Sequence, residues 1–322
     1  MDIIVLHKNH HPLVVKPEYI EKMKEHAENV YWFETEEELL ASGADAEALY
    51  LWGGTGPQPE AFCKQSKRLK WINTFSAGVD PLAKSVIKDL PIIVTNAKGV
   101  HGPGMGMTTA GFIISHMRCF AELYENQKDH LWRRPVQRDP TIVNGEVVGI
   151  IGAGAIAAHV AKYLKPFGFK IIGVKRTVVP LENYDEVYSD KELDDVLPLM
   201  DFVVVITPLT KDSVNQFDTE RFKKIKNGAF FINISRGGVV DTDALIEALR
   251  SGHLSGAALD AVEPEPLPPD SPLWDMPNVQ ITPHCSASSP YNHDRAVEQF
   301  CENFENLKAG RPLFNVVDLK DM

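Results

Sequence analysis

The sequence contains few cysteines, no run of basic residues and no long hydrophobic stretch. Its four cysteines have spacings typical of neither a disulfide framework nor a metal site, so we expect reduced thiols in a cytoplasmic protein that binds no metal. The net charge of −11 argues against nucleic acid and acidic membrane surfaces as partners. The apolar run at the amino terminus is too short for a signal peptide or a membrane span.

The sequence does contain a repeated alternation of short apolar runs and helical segments. Its 322 residues suit two domains, and 44% hydrophobic with 24% charged residues is the composition of a soluble globular protein. This alternation predicts an α/β protein with two Rossmann-like, doubly wound parallel-sheet domains and a cleft between them. The runs predicted as strands are 2–6, 48–52, 69–74, 92–95, 147–151, 170–174, 202–206, 229–233, 256–260 and 279–281.

Two predicted helices bear on the domain organisation. A long and largely apolar helix is predicted from Met105 to about Asp129, and an exposed arm follows it over residues 131–144. We place the first domain boundary near Val100. The last helix, which ends at about Lys308, lies beyond the nucleotide-binding part and is expected to return to the first domain.

The stretch from Val147 to Arg176 reads as strand, glycine turn, helix and strand, the order of a dinucleotide-binding βαβ unit. Gly152 permits the tight turn out of the strand. Gly154 lets the backbone approach a pyrophosphate at the helix N-terminus, and Ala157 is small enough for the helix to pack on the strand. The sequence therefore predicts a dinucleotide site at this turn.

The residues at the end of the second strand of this unit predict which dinucleotide binds. An NAD enzyme usually has a carboxylate there, which bonds the ribose 2′-hydroxyl. Here the residues are Lys175, Arg176 and Thr177, two cations and a hydroxyl that suit a 2′-phosphate. We predict a preference for NADP(H), with NAD(H) possible as a second cofactor. In the alternative interpretation, both cations are solvated surface charges.

Three ionisable residues follow successive strands of the second domain: Arg236, Glu265 and His284. An arginine can hold a planar carboxylate by two parallel contacts, and a histidine can move a proton near neutral pH. A carboxylate beside the imidazole raises its pKa. His284 could then donate its proton to a carbonyl oxygen as hydride arrives at the carbon. Each residue alone could equally be an ordinary surface or strand-end residue.

Several motifs in this order resemble the D-isomer-specific 2-hydroxyacid dehydrogenase family, in its glyoxylate/hydroxypyruvate reductase-like branch of NADP-preferring 2-ketoacid reductases. They cover nearly the whole chain. The motifs are Phe75–Asp80, Gly99–Gly102, Asn233–Asp241, Gly256–Asp260, Glu263–Leu267 and Thr282–His284. Departures from the common pattern are the Gly-Met-Gly-Met run at residues 104–107, Ala261–Val262 after Asp260, and Cys285 after the histidine.

The resemblance implies a dimeric NADP-dependent enzyme that reduces a 2-ketoacid to the D-2-hydroxyacid. Residues 1–99 with 287–322 would form the substrate domain and residues 100–286 the dinucleotide-binding domain. His284 would be the proton donor, Glu265 its partner, and Arg236 would bind the substrate carboxylate and polarise the carbonyl. The long helix and the arm would form the dimer interface. The substrate carboxylate would also contact Gly54, Ala77 and Gly78. The cofactor site would comprise Thr108, Gly152, Gly154, Ala155, Ile156, Lys175, Arg176, Thr177, Thr207, Pro208, Ile234, Ser235, Asp260, His284 and Ser286.

Two other functions fit the same sequence less well. The resemblance extends to corepressors that keep the nucleotide fold without acting as enzymes, but a long disordered tail and basic patches are missing here. Formate dehydrogenases typically carry a glutamine before the histidine, whereas Gln280 lies four residues before His284, within a predicted strand. The identity of the 2-ketoacid stays open.

Overall fold

The computed structural model describes residues 1–7, 17–52 and 58–321. The chain divides into two compact units, Met1–His101 with Ser289–Met322 and Gly102–Ser288. We refer to them as the first and the second unit. The boundaries proposed from the sequence lie near these divisions, at residues 99/100 and 286/287.

The first unit contains a five-stranded parallel sheet in the order β2-β1-β3-β4-β5. This is the order of a flavodoxin-like doubly wound sheet. Its elements are β1 (Ile3–His7), α1 (Pro17–Lys24), β2 (Val30–Phe33), α2 (Glu36–Ser42), β3 (Ala48–Trp52), α3 (Glu60–Gln65), β4 (Trp71–Thr74), α4 (Asp80–Ala83), β5 (Ile93–Asn96) and, from the end of the chain, α11 (Asn292–Lys308).

The second unit contains a seven-stranded parallel sheet in the order β12-β11-β10-β9-β6-β7-β8. The order reverses at β6, as in a dinucleotide-binding Rossmann sheet. Its elements are α5 (Gly102–Met117), α6 (Phe120–Lys128), β6 (Val147–Ile151), α7 (Ala155–Leu164), β7 (Lys170–Lys175), β8 (Glu186–Ser189), α8 (Leu193–Val196), β9 (Phe202–Val205), α9 (Thr219–Lys224), β10 (Ala229–Asn233), α10 (Thr242–Arg250), β11 (Leu254–Leu259) and β12 (Val279–Ile281).

The central strands of both sheets are buried on their two faces, which explains why these strands are largely apolar. Successive side chains of a strand point to opposite faces. In β1, for example, Ile4 and Leu6 enter one apolar core of the first unit, whereas Ile3 and Val5 enter the core on the other side. Full burial of each such side chain contributes about 1.5–3 kcal/mol, so a strand of alternating polar residues would not be stable in this position.

The prediction of one long helix from residue 105 to 129 is wrong. The structure has two helices, α5 and α6, because Cys119 between them adopts a left-handed backbone conformation with φ 58°. A residue in that region cannot continue a right-handed helix. The predicted arm, residues 131–144, contains neither helix nor strand, and the side chain of Trp132 is fully exposed.

The Gly-Met-Gly-Met departure in α5 has a packing explanation within the second unit. A Cβ atom at Gly106 would lie 2.8 Å from the ring of Tyr163 on α7. A Cβ atom at Gly104 would lie 3.0 Å from the carbonyl oxygen of Ala287. Glycine at these two positions therefore lets α5 approach its neighbours closely.

Within the described ranges, no helix is both long and apolar enough to cross a membrane.

Candidate active site

The glycine turn between β6 and α7 has the geometry that a dinucleotide site requires. Gly152 has φ +96°, and a Cβ atom there would lie 2.8 Å from the carbonyl oxygen of Ile206. Gly154 precedes the helix, where no side chain caps the N-terminus, and both Gly154 and Ala155 are exposed. Ala157 is fully buried. The first turn of α7 thus presents backbone N–H groups to an anion.

The end of β7 carries the cations predicted to select the cofactor. Lys175 is the last residue of the strand and half-buried, and Arg176 and Thr177 follow it, both exposed. The ion pairs among the described residues involve neither cation. None of these three residues is the carboxylate that an NAD site usually has at this point.

Two residues of the predicted catalytic set, His284 and Glu265, are in polar contact. The Nδ1 atom of His284 lies 2.8 Å from Oε2 of Glu265, and both side chains are partly exposed. An ionised carboxylate only accepts hydrogen bonds, so Nδ1 carries the proton that it donates to Glu265. The Nε2 atom is therefore the one that faces away from the carboxylate and can exchange a proton with another molecule.

Asp260 anchors the histidine loop, which we define as residues 282–286. The carboxylate is buried, and its Oδ1 accepts hydrogen bonds from Thr282 Oγ1 at 2.6 Å, Cys285 N at 2.9 Å and Ser286 N at 3.0 Å. Its backbone oxygen accepts the N–H of His284. His284 itself has φ 50°, a conformation that few residues other than glycine adopt, and these bonds stabilise it there.

The anchoring role of Asp260 was not predicted, because the sequence suggested only a cofactor contact. Its position directly after a buried strand was the available signal. Burial and the neighbouring Asp260 raise the pKa of the Cys285 thiol. Cys285 therefore stays a protonated thiol, which fits a wall of the site rather than a nucleophile.

Arg236 lies in the loop after β10, which is held by Asn233. The buried side chain of Asn233 donates to the carbonyl oxygens of Arg236 and Ala261, both at 3.1 Å, and accepts from Ser235. Gly237 permits close packing, since a Cβ atom there would lie 1.9 Å from the carbonyl oxygen of Val262. These contacts join the arginine loop to the segment that carries Glu265.

The structure brings the three predicted catalytic residues to the carboxyl ends of neighbouring parallel strands. Arg236 follows β10, Glu265 lies in the loop after β11, and His284 follows β12. Ligands bind doubly wound sheets at this edge. Parallel strands of one sheet direct their carboxyl ends to the same side, so these residues share the edge that holds the glycine turn.

The remaining predicted cofactor residues of the second unit lie along the same edge. Thr108 donates from Oγ1 to the carbonyl oxygen of Ser286 at 3.2 Å, and Thr207 donates to that of Ile151 at 3.3 Å. Ser286, Ile234 and Ser235 are buried, Ile156 is half-buried and Pro208 is exposed. Their contact with a cofactor stays a prediction.

Two of the three predicted carboxylate contacts of the first unit lie after β4. Ala77 and Gly78 are half-buried in the loop between β4 and α4. Gly54 lies outside the described residues. The contacts of these three residues with a substrate stay predictions.

Comparison with known proteins identifies the family. The family model for the D-isomer specific 2-hydroxyacid dehydrogenase NAD binding domain matches residues 110–286. Glyoxylate reductase of Thermofilum pendens is 33% identical over 283 residues, which are 84% of this chain and 81% of that protein. The chain belongs to the D-isomer specific 2-hydroxyacid dehydrogenase family. It is an oxidoreductase of this class, and its second unit contains an NAD(P)-binding domain, as predicted.

Other family members are similar over different lengths. D-3-phosphoglycerate dehydrogenase of Sus scrofa is 31% identical over 88% of this chain, but the chain spans only 53% of that enzyme. A family protein from Aeromonas salmonicida subsp. salmonicida has a structure with a TM-score of 0.84 at 30% identity, covering 99% of both chains. An NADPH-dependent glyoxylate/hydroxypyruvate reductase from Sinorhizobium meliloti, solved with NADP and sulfate, has a TM-score of 0.82 at 27% identity, covering 100% of this chain and 99% of that one. The predicted α/β fold with two parallel-sheet domains is thereby confirmed.

Proposed function

We propose that this protein reduces a 2-ketoacid to the D-2-hydroxyacid with NADPH and that His284 donates the proton. The observation that carries the proposal is the 2.8 Å contact between His284 Nδ1 and Glu265, at the carboxyl edge of the nucleotide-binding sheet. This contact holds the ring in one tautomeric state and leaves Nε2 to serve the substrate oxygen. A bound nicotinamide supplies the hydride.

Glu265 and Arg236, the other members of the catalytic set, would stabilise charged groups. The Glu265 carboxylate stabilises the positive imidazolium, which is the form that can release a proton to the forming alkoxide. The Arg236 guanidinium would bind the substrate carboxylate and polarise the carbonyl, since its planar fork matches a carboxylate. Asn233 and Gly237 hold the loop from which this side chain extends.

The cofactor proposed is NADP(H) rather than NAD(H). Its support is the pair Lys175 and Arg176, which takes part in none of the ion pairs of the described residues, at a strand end without a carboxylate. Two unneutralised cations favour a 2′-phosphate. The glyoxylate/hydroxypyruvate reductase of Sinorhizobium meliloti is NADPH-dependent, and a 29% identical family protein from Xanthobacter autotrophicus was solved with NADPH.

A panel of 2-ketoacids tests the reaction. Glyoxylate, hydroxypyruvate, pyruvate and phenylpyruvate should be offered with NADPH, and the products of the last three should be resolved by chiral chromatography. We expect turnover of at least one ketoacid and only the D-hydroxyacid from the chiral cases. Absence of turnover with every ketoacid, or formation of the L-product, would overturn the proposal.

A kinetic comparison of cofactors tests the NADPH preference. Catalytic efficiency with NADPH should exceed that with NADH, and Arg176→Ala should weaken NADPH binding about tenfold while changing NADH binding little. Arg250→Ala, at an exposed position on α10, is the matched control. Equal efficiency with both cofactors, or an equal loss for both in Arg176→Ala, would contradict the preference.

We also propose a homodimer that forms through α5, α6 and the arm. These segments expose several large apolar side chains, and exposed apolar surface of this kind favours association. They include Met107, Tyr124, Trp132, Val136 and Ile142, each more than 60% exposed. Light scattering coupled to size exclusion should give twice the chain mass of 35.9 kDa. A monomer at micromolar concentration would contradict the proposed assembly.

A further inference from the structure

The loop after β4, residues 75–78, is held in place by its carbonyl groups. The side-chain amide of Asn96 donates from Nδ2 to the carbonyl oxygen of Ala77 at 2.6 Å. The backbone N–H of Ala97 donates to the carbonyl oxygen of Ser76 at 3.3 Å. Both donors belong to the end of β5, so the loop is attached to its neighbouring strand from one side.

The N–H groups of the same two peptides belong to Ala77 and Gly78. Within the described part of the chain, no acceptor binds the N–H of Ala77 or of Gly78. In a planar trans peptide the C=O and the following N–H point in opposite directions. The bond to the Ala77 carbonyl therefore directs the Gly78 N–H away from β5, and the bond to the Ser76 carbonyl does the same for the Ala77 N–H.

Side chains on both sides of the loop restrict it further. The ring of Phe75 stacks on His293 of α11 with centroids 4.6 Å apart and meets His101 edge to face at 5.7 Å. The imidazole of His101 also bonds to the Phe75 backbone, and burial lowers the pKa of His101. At the other end, Val79 is buried in the core of the first unit. The loop is thus fixed before any ligand arrives.

We infer that Asn96 is a positioning residue for substrate, because its amide fixes the Ala77–Gly78 peptide so that two adjacent N–H groups point at a carboxylate. The inference rests on the proposed function, which supplies a substrate of that class. Successive backbone N–H groups of one orientation form a concave anion site. Asn96 does not touch the ligand, and its contribution is the orientation of the peptide.

Two substitutions at this residue test the inference. Asn96→Ala removes the donor. Asn96→Asp keeps the shape but places a carboxylate against the Ala77 carbonyl oxygen, which favours rotation of the peptide. Asn306→Asp adds the same charge to the first unit through a side chain that accepts a hydrogen bond from Arg311, away from the 75–78 loop in sequence, and it is the matched control. Each protein is assayed with pyruvate and with methyl pyruvate, or with the best ketoacid of the panel and its methyl ester.

The ratio of catalytic efficiencies for acid and ester is the deciding quantity. It reports the interaction with the carboxylate charge, and it does not depend on the fraction of folded protein because both values come from one preparation. We expect the ratio to fall about tenfold in Asn96→Ala and roughly a hundredfold in Asn96→Asp, mainly through KM of the acid. NADPH affinity should stay within twofold of wild type. An unchanged ratio in both variants would overturn the inference.

A titration separates this inference from the proposed function. Oxamate, a carboxylate that cannot be reduced, is titrated calorimetrically into the NADPH-saturated wild type and variants. If the wild type reduces no ketoacid, the proposed reaction is wrong, and oxamate binding then tests the positioning role separately. Oxamate binding that is weaker in the two Asn96 variants than in wild type and Asn306→Asp supports that role. Equal oxamate binding to all proteins, or none to wild type, overturns it.

Discussion

Two loops at the carboxyl ends of parallel strands are held in opposite ways. The 75–78 loop of the first unit is bound through its carbonyl oxygens by donors from β5. The histidine loop of the second unit is bound through its N–H groups by the buried carboxylate of Asp260. The first arrangement leaves N–H groups for an anion, and the second leaves a side chain, His284, to exchange a proton.

Under the proposed function, the same kind of sheet edge would serve two chemical tasks. The side-chain amide of Asn96 orients backbone N–H groups of the 75–78 loop and adds no charge to the site. The carboxylate of Asp260 accepts hydrogen bonds from N–H groups of the histidine loop and stabilises the left-handed backbone of His284. Substitutions in the histidine loop should therefore change kcat with the acid-to-ester ratio intact, and those in the 75–78 loop should change the ratio.

Among substitutions of the residues that support the two loops, the largest effect is expected from Asp260→Asn. The amide cannot accept all the donors that the carboxylate binds, and it lacks the charge that strengthens these bonds. We expect kcat to fall roughly a hundredfold, with the acid-to-ester ratio unchanged and a lower melting temperature. Asp241→Asn, at the N-cap of α10, is the control, because asparagine caps a helix about as well as aspartate. A higher KM of the acid with unchanged kcat would contradict the division of tasks between the two loops.

Glu265→Gln should have an intermediate effect. The contact with His284 Nδ1 is partly exposed, so water replaces some of the lost charge. We expect kcat for reduction to fall about tenfold, because the His284 ring loses the charged acceptor of its Nδ1 hydrogen bond. Glu263→Gln, two residues earlier and exposed, should leave kcat unchanged. Retention of wild-type kcat in Glu265→Gln would remove the carboxylate from the mechanism.

The smallest effects are expected from a pair of threonines that each make one bond to a loop. Thr108→Val loses the bond to the Ser286 carbonyl, and Thr74→Val loses the acceptor of the Ser76 N–H. A single neutral hydrogen bond contributes about 0.5–1.5 kcal/mol, so changes of about threefold are expected. Thr108→Val should lower kcat and Thr74→Val should lower the acid-to-ester ratio. The reverse pattern would contradict the division of tasks.

Buried strands could be predicted from the sequence. The strand β10, in which four apolar residues precede Asn233, has the bounds expected, because it is buried along its whole length. The strands β2 and β8 were missed. Both are short, half-buried edge strands, so neither gives a fully buried run between turn signals.

The composition of the candidate site could be predicted, but its supporting contacts could not. Arg236, Glu265 and His284 were visible as charged residues after strands. The bonds from Asp260 to the histidine loop and from Asn96 to Ala77 join residues about 20 positions apart, and a single sequence contains no sign of them. The break between α5 and α6 depends on the backbone of Cys119, a residue type that gives no turn signal.

The proposed role of His284 as the proton donor of a 2-ketoacid reductase is tested most directly by measuring, on one preparation of His284→Ala, the rate of ketoacid reduction and the affinity for NADPH. A general acid contributes about 10²–10⁴-fold, so we predict that kcat falls by that factor while the dissociation constant of NADPH stays within a few-fold of wild type. Retention of wild-type kcat with the cofactor bound would contradict the account.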